Sequence, residues 1–496
     1  MILAANITYT SSQALSDLAQ VGPIVAVSTA LLVAIILDLV LPVHLRGPVA
    51  AAVATLGYLG GGAAAIALWL LGAGHYAYSG FATGDEFAVF FDVLFAVLGI
   101  LTVAISRGYL RDRAFPEAEF QVLLLASVAG MMVLASATSL VTAFLGLELL
   151  SVALYILSGF ARADTRSQES AAKYLLVGGF ASAFVLYGMA LVYGATASTQ
   201  LSVLAQRVTD QSAGNPLVVA GVMLMAIGFA YKVSAAPFHM WTPDVYQGAP
   251  LPVTTFMSVG TKAAAFAMII RVFSQGLPHL AFEWQALLAF VSATSMIVGN
   301  LMAIVQVSMK RLLAYSGVAH AGYILVGVIA GGSAGVGAVL FYLAAYLFMN
   351  FGAFAVLTVL SGPDGEHEHM SDLEGLSARH PVLAVLLTLF LLSLAGFPPT
   401  VGFIGKFFLF AAGVSAGYTW LVVLAVLMSV VSVYYYIRAV IHIWSPLPGP
   451  RPLWVGRTAS LALVVTGALS LALGISPALL FLIGQAGAGP VLAAGR

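Results

Sequence analysis

The chain of 496 residues contains no cysteine and very few charged residues. Without cysteine it cannot form disulfides, thiolate metal sites or cysteine-ligated iron–sulfur clusters. Only 8% of its residues are Asp, Glu, Lys or Arg, whereas soluble domains average about a quarter. This composition excludes an ordinary soluble protein.

The sequence also lacks an excess of basic charge. Nineteen Lys and Arg residues balance nineteen Asp and Glu residues, so no basic surface attracts nucleic acid and such a partner is excluded. What is present is apolar sequence: 61% of the residues are hydrophobic and the mean hydropathy is +1.04. Because a helix needs about 20 apolar residues to cross a lipid bilayer, a polytopic membrane protein is expected.

Apolar runs of about 20 residues predict an all-α fold with about fourteen transmembrane helices. The N-terminal segment has no Lys or Arg and no small-residue cleavage site follows it, so we expect no cleavable signal peptide. The predicted spans are 21–43, 47–72, 86–106, 119–136, 138–160, 173–194, 216–238, 251–273, 281–306, 311–330, 334–360, 381–412, 418–444 and 457–484.

With the four lysines inside spans or at a span mouth set aside (Lys173, Lys232, Lys262 and Lys406), the other basic residues fall mainly on one side if the fourteen spans alternate. The larger group contains Arg46, Arg107, Arg111, Arg113, Arg162, Arg166, Lys310, Arg311, Arg379, Arg438, Arg451 and Arg457. The smaller group contains Arg207, Arg271 and Arg496. The positive-inside rule makes the larger group cytoplasmic, and both termini are then predicted on the non-cytoplasmic side.

Four ionisable residues lie deep within predicted spans, namely Glu148, Lys232, Lys262 and Lys406. A charge at the centre of a membrane helix costs about 2.5–3.5 kcal/mol even on the lenient insertion scale. Helix packing alone would use Ala, Gly or Ser. These residues therefore indicate a function, and a purely structural Glu–Lys contact between helices is the alternative.

Prolines interrupt two of the spans that carry a lysine. Pro237 follows Lys232, and Pro398 and Pro399 precede Lys406. Because proline removes a helical hydrogen bond, we predict two broken helices, one in each half of the chain. Transporters place ion sites at such interrupted helices of repeated halves.

The deep groups suggest a proton relay. Burial disfavours the charged form of a lysine, and a single deep carboxylate cannot pair with three lysines, so at least one should switch between charged and neutral forms. His320, near the centre of span ten, is a candidate intermediate, with core packing as the alternative. Lys173 at the mouth of span six either relays protons or snorkels, and His239 either relays protons or caps the broken helix.

The run GEHEHMSD places Glu366, His367, Glu368 and His369 close together. It lacks the His-Glu-x-x-His spacing and an apolar setting, so we predict a solvated loop and no metal site. His320 is the only histidine near the centre of a span, and haem between helices needs paired ligands. We therefore predict no metal or cofactor in this chain.

Four segments together carry a resemblance to a known family. It resembles the antiporter-like membrane subunits of respiratory complex I, the proton-pumping NADH:quinone oxidoreductase, and among them the subunit N group. The likeness extends over about residues 140–410. The segments are YKVSAAPFHMWTPDVYQGAPLPVTTFMSVGTKAAAF (231–266), GLELLSVALYIL (146–157), KRLLAYSGVAHAGY (310–323) and SLAGFPPTVGFIGKF (393–407).

The resemblance implies roles for the deep residues. It implies that Glu148 and Lys232 form a coupled pair and that Lys262 and Lys406 continue a proton path at the midplane. Subunit M is expected to have a glutamate where Lys406 stands, so subunit N is favoured. Two inverted five-helix repeats are also implied. The resulting division is helices 1–3 in 1–118, one repeat with helices 4–8 in 119–273, a second with helices 9–13 in 281–444, and helix 14 with the tail in 457–496.

The expected function is proton translocation in the bacterial inner membrane, driven by electron transfer in other subunits. By this resemblance the chain binds no cofactor, and flavin, Fe–S clusters and quinone belong to partner membrane-arm and peripheral subunits. Two alternatives stay open. One is a subunit of a multisubunit cation/proton antiporter, which shares the helix core, and the other is a structural subunit whose buried charges fix helix register.

Overall fold

The computed structural model describes residues 10–72, 74–362, 365–446 and 456–493. These residues form a helical bundle with one hairpin, in which β1 (Tyr76–Ala77) pairs with β2 (Ala82–Thr83). The helices are α1 Ser11–Gln20, α2 Gly22–Val40, α3 Val43–Leu71, α4 Glu86–Asp112, α5 Glu117–Ser136, α6 Leu140–Ser158, α7 Thr165–Thr196, α8 Leu201–Arg207, α9 Pro216–Lys232, α10 Trp241–Gly248, α11 Leu251–Ile269, α12 Ala281–Ile304, α13 Met309–Ala330, α14 Gly332–Leu360, α15 Leu376–Arg379, α16 Pro381–Ala395, α17 Val401–Ser415, α18 Thr419–Trp444, α19 Arg457–Ile475 and α20 Ala478–Ala493.

Twelve helices in the described part of the chain are long and apolar enough to cross a membrane. Four shorter apolar helices accompany them, namely α9, α16, α17 and α20. The predicted class, an all-α polytopic membrane protein, is confirmed. The count of fourteen spans, the inverted repeats and the four-part division stay predictions. Arg451 and Arg496, which belong to the predicted charge asymmetry, lie outside the described residues.

Two helices are broken at the prolines, as predicted from the sequence. The first break separates the end of α9 at Lys232 from the start of α10 at Trp241, and the second separates α16 from α17. Gly396 ends α16 with φ +90, a left-handed conformation that glycine adopts without strain. Its N–H donates to the carbonyl oxygens of Leu392 and Ser393, both at 3.0 Å.

A third break corrects the prediction of one continuous span over 457–484. Helix α19 ends at Ile475 and α20 begins at Ala478, with Pro477 between them. Proline has no N–H to continue the hydrogen bonds of α19. Gly474 packs directly on the backbone of the α16–α17 connection, where a Cβ would collide with the carbonyl oxygen of Pro399. The third break therefore lies against the second.

The core of the bundle is formed by largely apolar helices that are buried on nearly all sides. The apolar stretches of α11 and α13 are buried throughout and that of α14 nearly so, whereas only 22% and 33% of those of α2 and α18 are buried. A helix that is apolar all round is expected in the centre, and apolar side chains on the outer helices suit contact with lipid. Lys262 on α11 and His320 on α13 consequently lie in the most enclosed part of the protein.

Candidate functional site

The first part of the candidate site lies between the end of α9 and the middle of α6. Lys232 is 3% exposed, and its Nζ donates to Ser151 Oγ at 2.7 Å. Glu148 lies three residues before Ser151 on α6, and its Oε1 is buried without a hydrogen-bond partner among the described residues. The hydrogen-bond partner of Lys232 is therefore Ser151, and the carboxylate of Glu148 is one helical turn away.

Lys262 is wholly buried on α11. Its Nζ has no hydrogen-bond partner in the described part of the chain and lies 5.7 Å from the ring centroid of Tyr346. It also abuts Gly317 of α13, where a Cβ would collide with Nζ. A buried ammonium without a partner is unfavourable, and attraction to an aromatic ring compensates only partly.

His320 lies at the centre of a hydrogen-bonded group of tyrosines. Its Nδ1 is 2.6 Å from Tyr342 Oη, and its Nε2 is 3.2 Å from Tyr436 Oη. The Tyr436 hydroxyl donates to Ser316 Oγ at 2.8 Å. A neutral imidazole donates from one nitrogen and accepts at the other, so a ring with partners on both sides can pass a proton across.

Lys406 reaches back across the break between α16 and α17. It is 4% exposed, and its Nζ donates to the carbonyl oxygens of Leu394 at 3.0 Å and Ala395 at 2.9 Å and to Ser429 Oγ at 2.9 Å. These carbonyls end α16, where the helix dipole favours a cation. Lys232 is itself the last residue of α9, but its Nζ donates to Ser151 on α6.

The central residues form a row in which His320 lies between the two lysines. Its ring is 5.4 Å from the Tyr346 ring, beside Lys262. On the other side it is 5.6 Å from the Tyr323 ring, and Lys406 Nζ is 5.1 Å from that ring. The structure thus brings Lys262, His320 and Lys406 together, with one tyrosine between each neighbouring pair.

Two other predicted site residues lie outside this row. Lys173 has a half-exposed side chain and pairs with Glu169 at 2.7 Å and Asp244 at 2.9 Å. His239 lies between α9 and α10, its ring 6.2 Å from that of Tyr315, and its buried Nδ1 has no partner among the described residues. The site roles of all seven predicted residues stay predictions.

The GEHEHMSD loop is less solvated than predicted, because two of its carboxylates fold inward. Glu366 accepts hydrogen bonds from Lys310 Nζ at 2.7 Å, Tyr109 Oη at 2.5 Å and the backbone N–H of Leu251 at 2.9 Å. Glu368 is also buried. The physical reason is Lys310, whose buried charge requires an anionic partner. The partners are distant in sequence, so the loop pattern gave no sign of them.

The pKa of Glu366 reflects both burial and these partners. Burial by itself raises it, but the charge of Lys310 and the hydrogen bonds from Lys310, Tyr109 and Leu251 hold the pKa below its ordinary value. A carboxyl whose pKa is lower in the folded protein stabilises the fold above its unfolded pKa, and this contribution is lost as the pH falls through the folded pKa. Acid should therefore loosen this loop.

Sequence reasoning missed an ion pair at the opposite end of α11. Arg271, in the segment that continues α11, is 1% exposed. It donates from Nη2 and Nη1 to the two carboxylate oxygens of Asp85 at 2.6 and 3.0 Å, and from Nε to the carbonyl oxygen of Ala135 at 2.6 Å. Asp85 also caps α4 by accepting from the N–H of Ala88. The local signals were an arginine inside the predicted span 251–273 and an aspartate shortly before an apolar run, which is typical of an N-cap.

Asp85→Asn should destabilise the protein by about 3–5 kcal/mol, because it leaves the buried guanidinium of Arg271 without its anionic partner. The thermal unfolding midpoint of the purified protein measures this. Glu119→Gln is the control, since it breaks a pair with Arg162 in which both side chains are largely exposed, where about 0–1 kcal/mol is expected. Equal losses in the two variants would contradict a stabilising role for the buried pair.

The arrangement as a whole suits proton transfer. Its buried lysines, histidine, carboxylate and hydroxyls can each bind or release a proton, and ionisable groups of this kind mark proton relays in membrane proteins. Within the described ranges, no group of three or more His, Asp or Glu side chains is arranged to hold a metal ion.

Comparison with known proteins gives concordant matches. Residues 137–432 match the family described as "NADH:quinone oxidoreductase/Mrp antiporter, TM". The NADH-quinone oxidoreductase subunit N of Trichlorobacter lovleyi is 45% identical over 435 residues, which cover 87% of this chain and 88% of that protein. NADH-quinone oxidoreductase subunit N of Chloroflexus aggregans is 39% identical over 472 residues, covering 94% of this chain and 96% of that one.

Solved structures share the fold over nearly the whole chain. A chain of respiratory complex I from Thermus thermophilus with bound aureothin is similar with a TM-score of 0.79 and 35% identity, covering 93% of this chain and 98% of that chain. A chain of the Mrp complex from a Dietzia species is similar with a TM-score of 0.84 and 22% identity, covering 96% and 98%. At 22% identity the second match concerns the fold alone.

Proposed function

The chain belongs to the NADH:quinone oxidoreductase/Mrp antiporter family, in its subunit N group, and from this premise we propose that it is a proton-translocating membrane-arm subunit of an NADH:quinone oxidoreductase. It contributes to that enzyme as one subunit and performs no redox catalysis alone. The observation that carries the proposal is the buried row from Lys262 through His320 to Lys406. A subunit with only a structural role would not need these ionisable groups, because placing them within a membrane is energetically costly.

The proposed mechanism begins at Glu148 and Lys232. Electron transfer in partner subunits shifts the charge balance of this pair, with Ser151 as the alternative partner of Lys232. A proton then moves from Lys262 through His320 to Lys406, and its release completes one translocation. Moving one proton against 100 mV requires about 2.3 kcal/mol. Because this chain holds no predicted redox group, that energy comes from its partners.

The surroundings follow from the same proposal. The chain lies in the inner membrane of a bacterium as a multi-pass subunit with both termini on the non-cytoplasmic side, as its loop charges indicate. Its partners are the other membrane-arm and peripheral subunits, which supply flavin, Fe–S clusters and quinone. The fold shared with an Mrp complex chain makes a cation/proton antiporter subunit the second candidate.

Glu148→Ala and Lys232→Ala should each lower quinone-coupled proton pumping by about a hundredfold without preventing assembly, because each removes a group that the relay needs. Proton translocation is measured with a pH-sensitive dye in vesicles that contain the assembled enzyme. Glu119→Ala, on the exposed side of α5, is the control and should pump normally. If Glu148→Ala and Lys232→Ala both pump at the parental rate, Glu148 and Lys232 have only a structural role.

A further inference from the structure

One face of α11 carries a regular series of polar residues that leads to Lys262. Thr255, Ser258 and Lys262 follow Leu251 at intervals of four, three and four residues, the spacing that aligns side chains along one helix face. All of them are buried. Apolar residues would be expected on such a face of a central helix.

Helix α14 presents matching polar groups to this face. Thr255 Oγ1 and Thr358 Oγ1 are 3.1 Å apart, and Asn350 Nδ2 donates to Ser258 Oγ at 2.8 Å. Both α14 residues are also wholly buried. Thr255, Ser258, Asn350 and Thr358 together are called the hydroxyl ladder below.

The inner end of the hydroxyl ladder has three buried polar atoms without hydrogen-bond partners among the described residues. They are Asn350 Oδ1, Tyr346 Oη and Lys262 Nζ. Buried polar groups that lack a protein partner bind water, and a site with several such groups suits a water molecule well. Lys262 is therefore reached from the ladder through a polar region.

About one helical turn before Thr255, at the start of α11, lies a cavity of about 550 Å³, lined among others by Pro250, Glu366 and Arg166. Glu366 accepts from the backbone N–H of Leu251, the first residue of α11. At about 30 Å³ of liquid volume per water molecule, such a polar cavity has room for several waters. A titratable carboxylate thus lies between this cavity and the first turn of the helix that carries Lys262.

We propose that the hydroxyl ladder is the route by which Lys262 takes up protons, with Glu366 as the group that receives them from the cavity. The inference rests on the proposed function and adds the uptake route to it. From Leu251 to Lys262 the helix rises about 16 Å. Neighbouring positions on the ladder are about 5–6 Å apart, a gap that one hydrogen-bonded water bridges.

The position of the cavity gives the direction of transport. Arg113 and Arg166 line it, and both belong to the larger group of loop cations. Under the positive-inside rule this is the cytoplasmic side. Protons therefore enter from the cytoplasm along α11 and continue from Lys262 towards His320.

The test is the double variant Thr255→Val with Ser258→Ala in the assembled enzyme. It removes both hydroxyls that α11 contributes to the hydroxyl ladder and should slow proton pumping by about tenfold, since uptake then becomes rate-limiting. The ratio of rates in H2O and D2O should rise together with this loss, which a packing defect would not produce. Thr255→Ser keeps a hydroxyl at that position and should pump at the parental rate.

The matched control is Thr466→Val with Ser470→Ala on α19. These two residues are equally buried, and their hydroxyls donate to carbonyl oxygens of their own helix, as those of Thr255 and Ser258 also do. Unlike Thr255 and Ser258, they have no side-chain partner on another helix among the described residues, so the parental rate is expected. If the α11 double variant does not assemble, Thr255→Val alone, which preserves the side-chain shape, is predicted to change both readouts in the same direction.

Three results would overturn the route. If the α11 double variant pumps at the parental rate while Lys262→Met loses pumping, the hydroxyl ladder is excluded as the uptake route and the proposed function stands. If the α11 double variant and Lys262→Met both pump at the parental rate, both the uptake route and the proposed function are contradicted. Equal slowing by Thr255→Ser and Thr255→Val, without a change in the isotope effect, would make Thr255 a packing residue.

Discussion

Lys262→Met is expected to lower proton translocation by at least about a hundredfold while leaving the fold intact, the loss expected when a proton-transfer group is removed. The fold should persist because Lys262 Nζ has no hydrogen-bond partner among the described residues. Methionine is similar in length and flexible enough to fill the same space. The substitution breaks no hydrogen bond among the described residues and removes a buried charge, so stability should stay the same or rise.

The measurement combines dye-detected proton pumping in vesicles with the thermal unfolding midpoint of the purified enzyme. Arg111→Met is the control, because this side chain is largely exposed and should affect neither quantity. Undiminished pumping by assembled Lys262→Met enzyme would exclude Lys262 from the proton path. Loss of assembly would show that the residue supports the fold, contrary to its unpartnered state.

Lys406→Met should lower pumping by a similar factor, about a hundredfold, but it should also destabilise the protein. Here the ammonium holds the carbonyl oxygens of Leu394 and Ala395 and the hydroxyl of Ser429. Leaving such buried groups without a partner costs about 1–3 kcal/mol. The Lys262→Met and Lys406→Met variants are thus expected to have different unfolding midpoints and similarly reduced pumping rates.

Lys406→Arg separates the two roles of this residue. An arginine can keep a positive charge at the end of α16, but it stays protonated and so cannot pass its proton on. We expect recovery of the unfolding midpoint without recovery of pumping. Normal pumping by the arginine variant would mean that Lys406 only stabilises the broken helix.

The deep charges and the first two breaks could be predicted because their causes are local. A charge inside a 20-residue apolar run and a proline within a helix can each be recognised from the few residues around them. The third break escaped because Pro477 lies close to the predicted end of the last span. Its structural setting, the contact of Gly474 with the α16–α17 connection, involves residues more than seventy positions apart.

The partners of the candidate site could not be predicted, since they come from distant parts of the chain. His320 was recognised from its depth in span ten, but Tyr436, which bonds its Nε2, is 116 residues away. The carboxylate that pairs with Lys310 is 56 residues from it. Contacts of this kind depend on how the helices pack, and no periodicity in the sequence encodes them.

The two break lysines hold their ammonium groups in different ways, which the sequence did not reveal. Lys406 follows its prolines, and its Nζ donates to carbonyl oxygens at the end of α16, where the negative end of the helix dipole stabilises a cation. Lys232 precedes its proline and is the last residue of α9, but its Nζ donates to Ser151 on α6. A change in these hydrogen bonds would change how readily each lysine holds its proton.

The most direct test of the central claim, that this chain belongs to a redox-driven proton pump, is its native assembly. The chain is tagged at its C-terminus, extracted gently from native membranes, and the co-purifying chains are identified by mass spectrometry. The account predicts flavin-bearing and Fe–S-bearing subunits among them. Recovery of small membrane subunits alone would contradict it and would indicate a cation/proton antiporter.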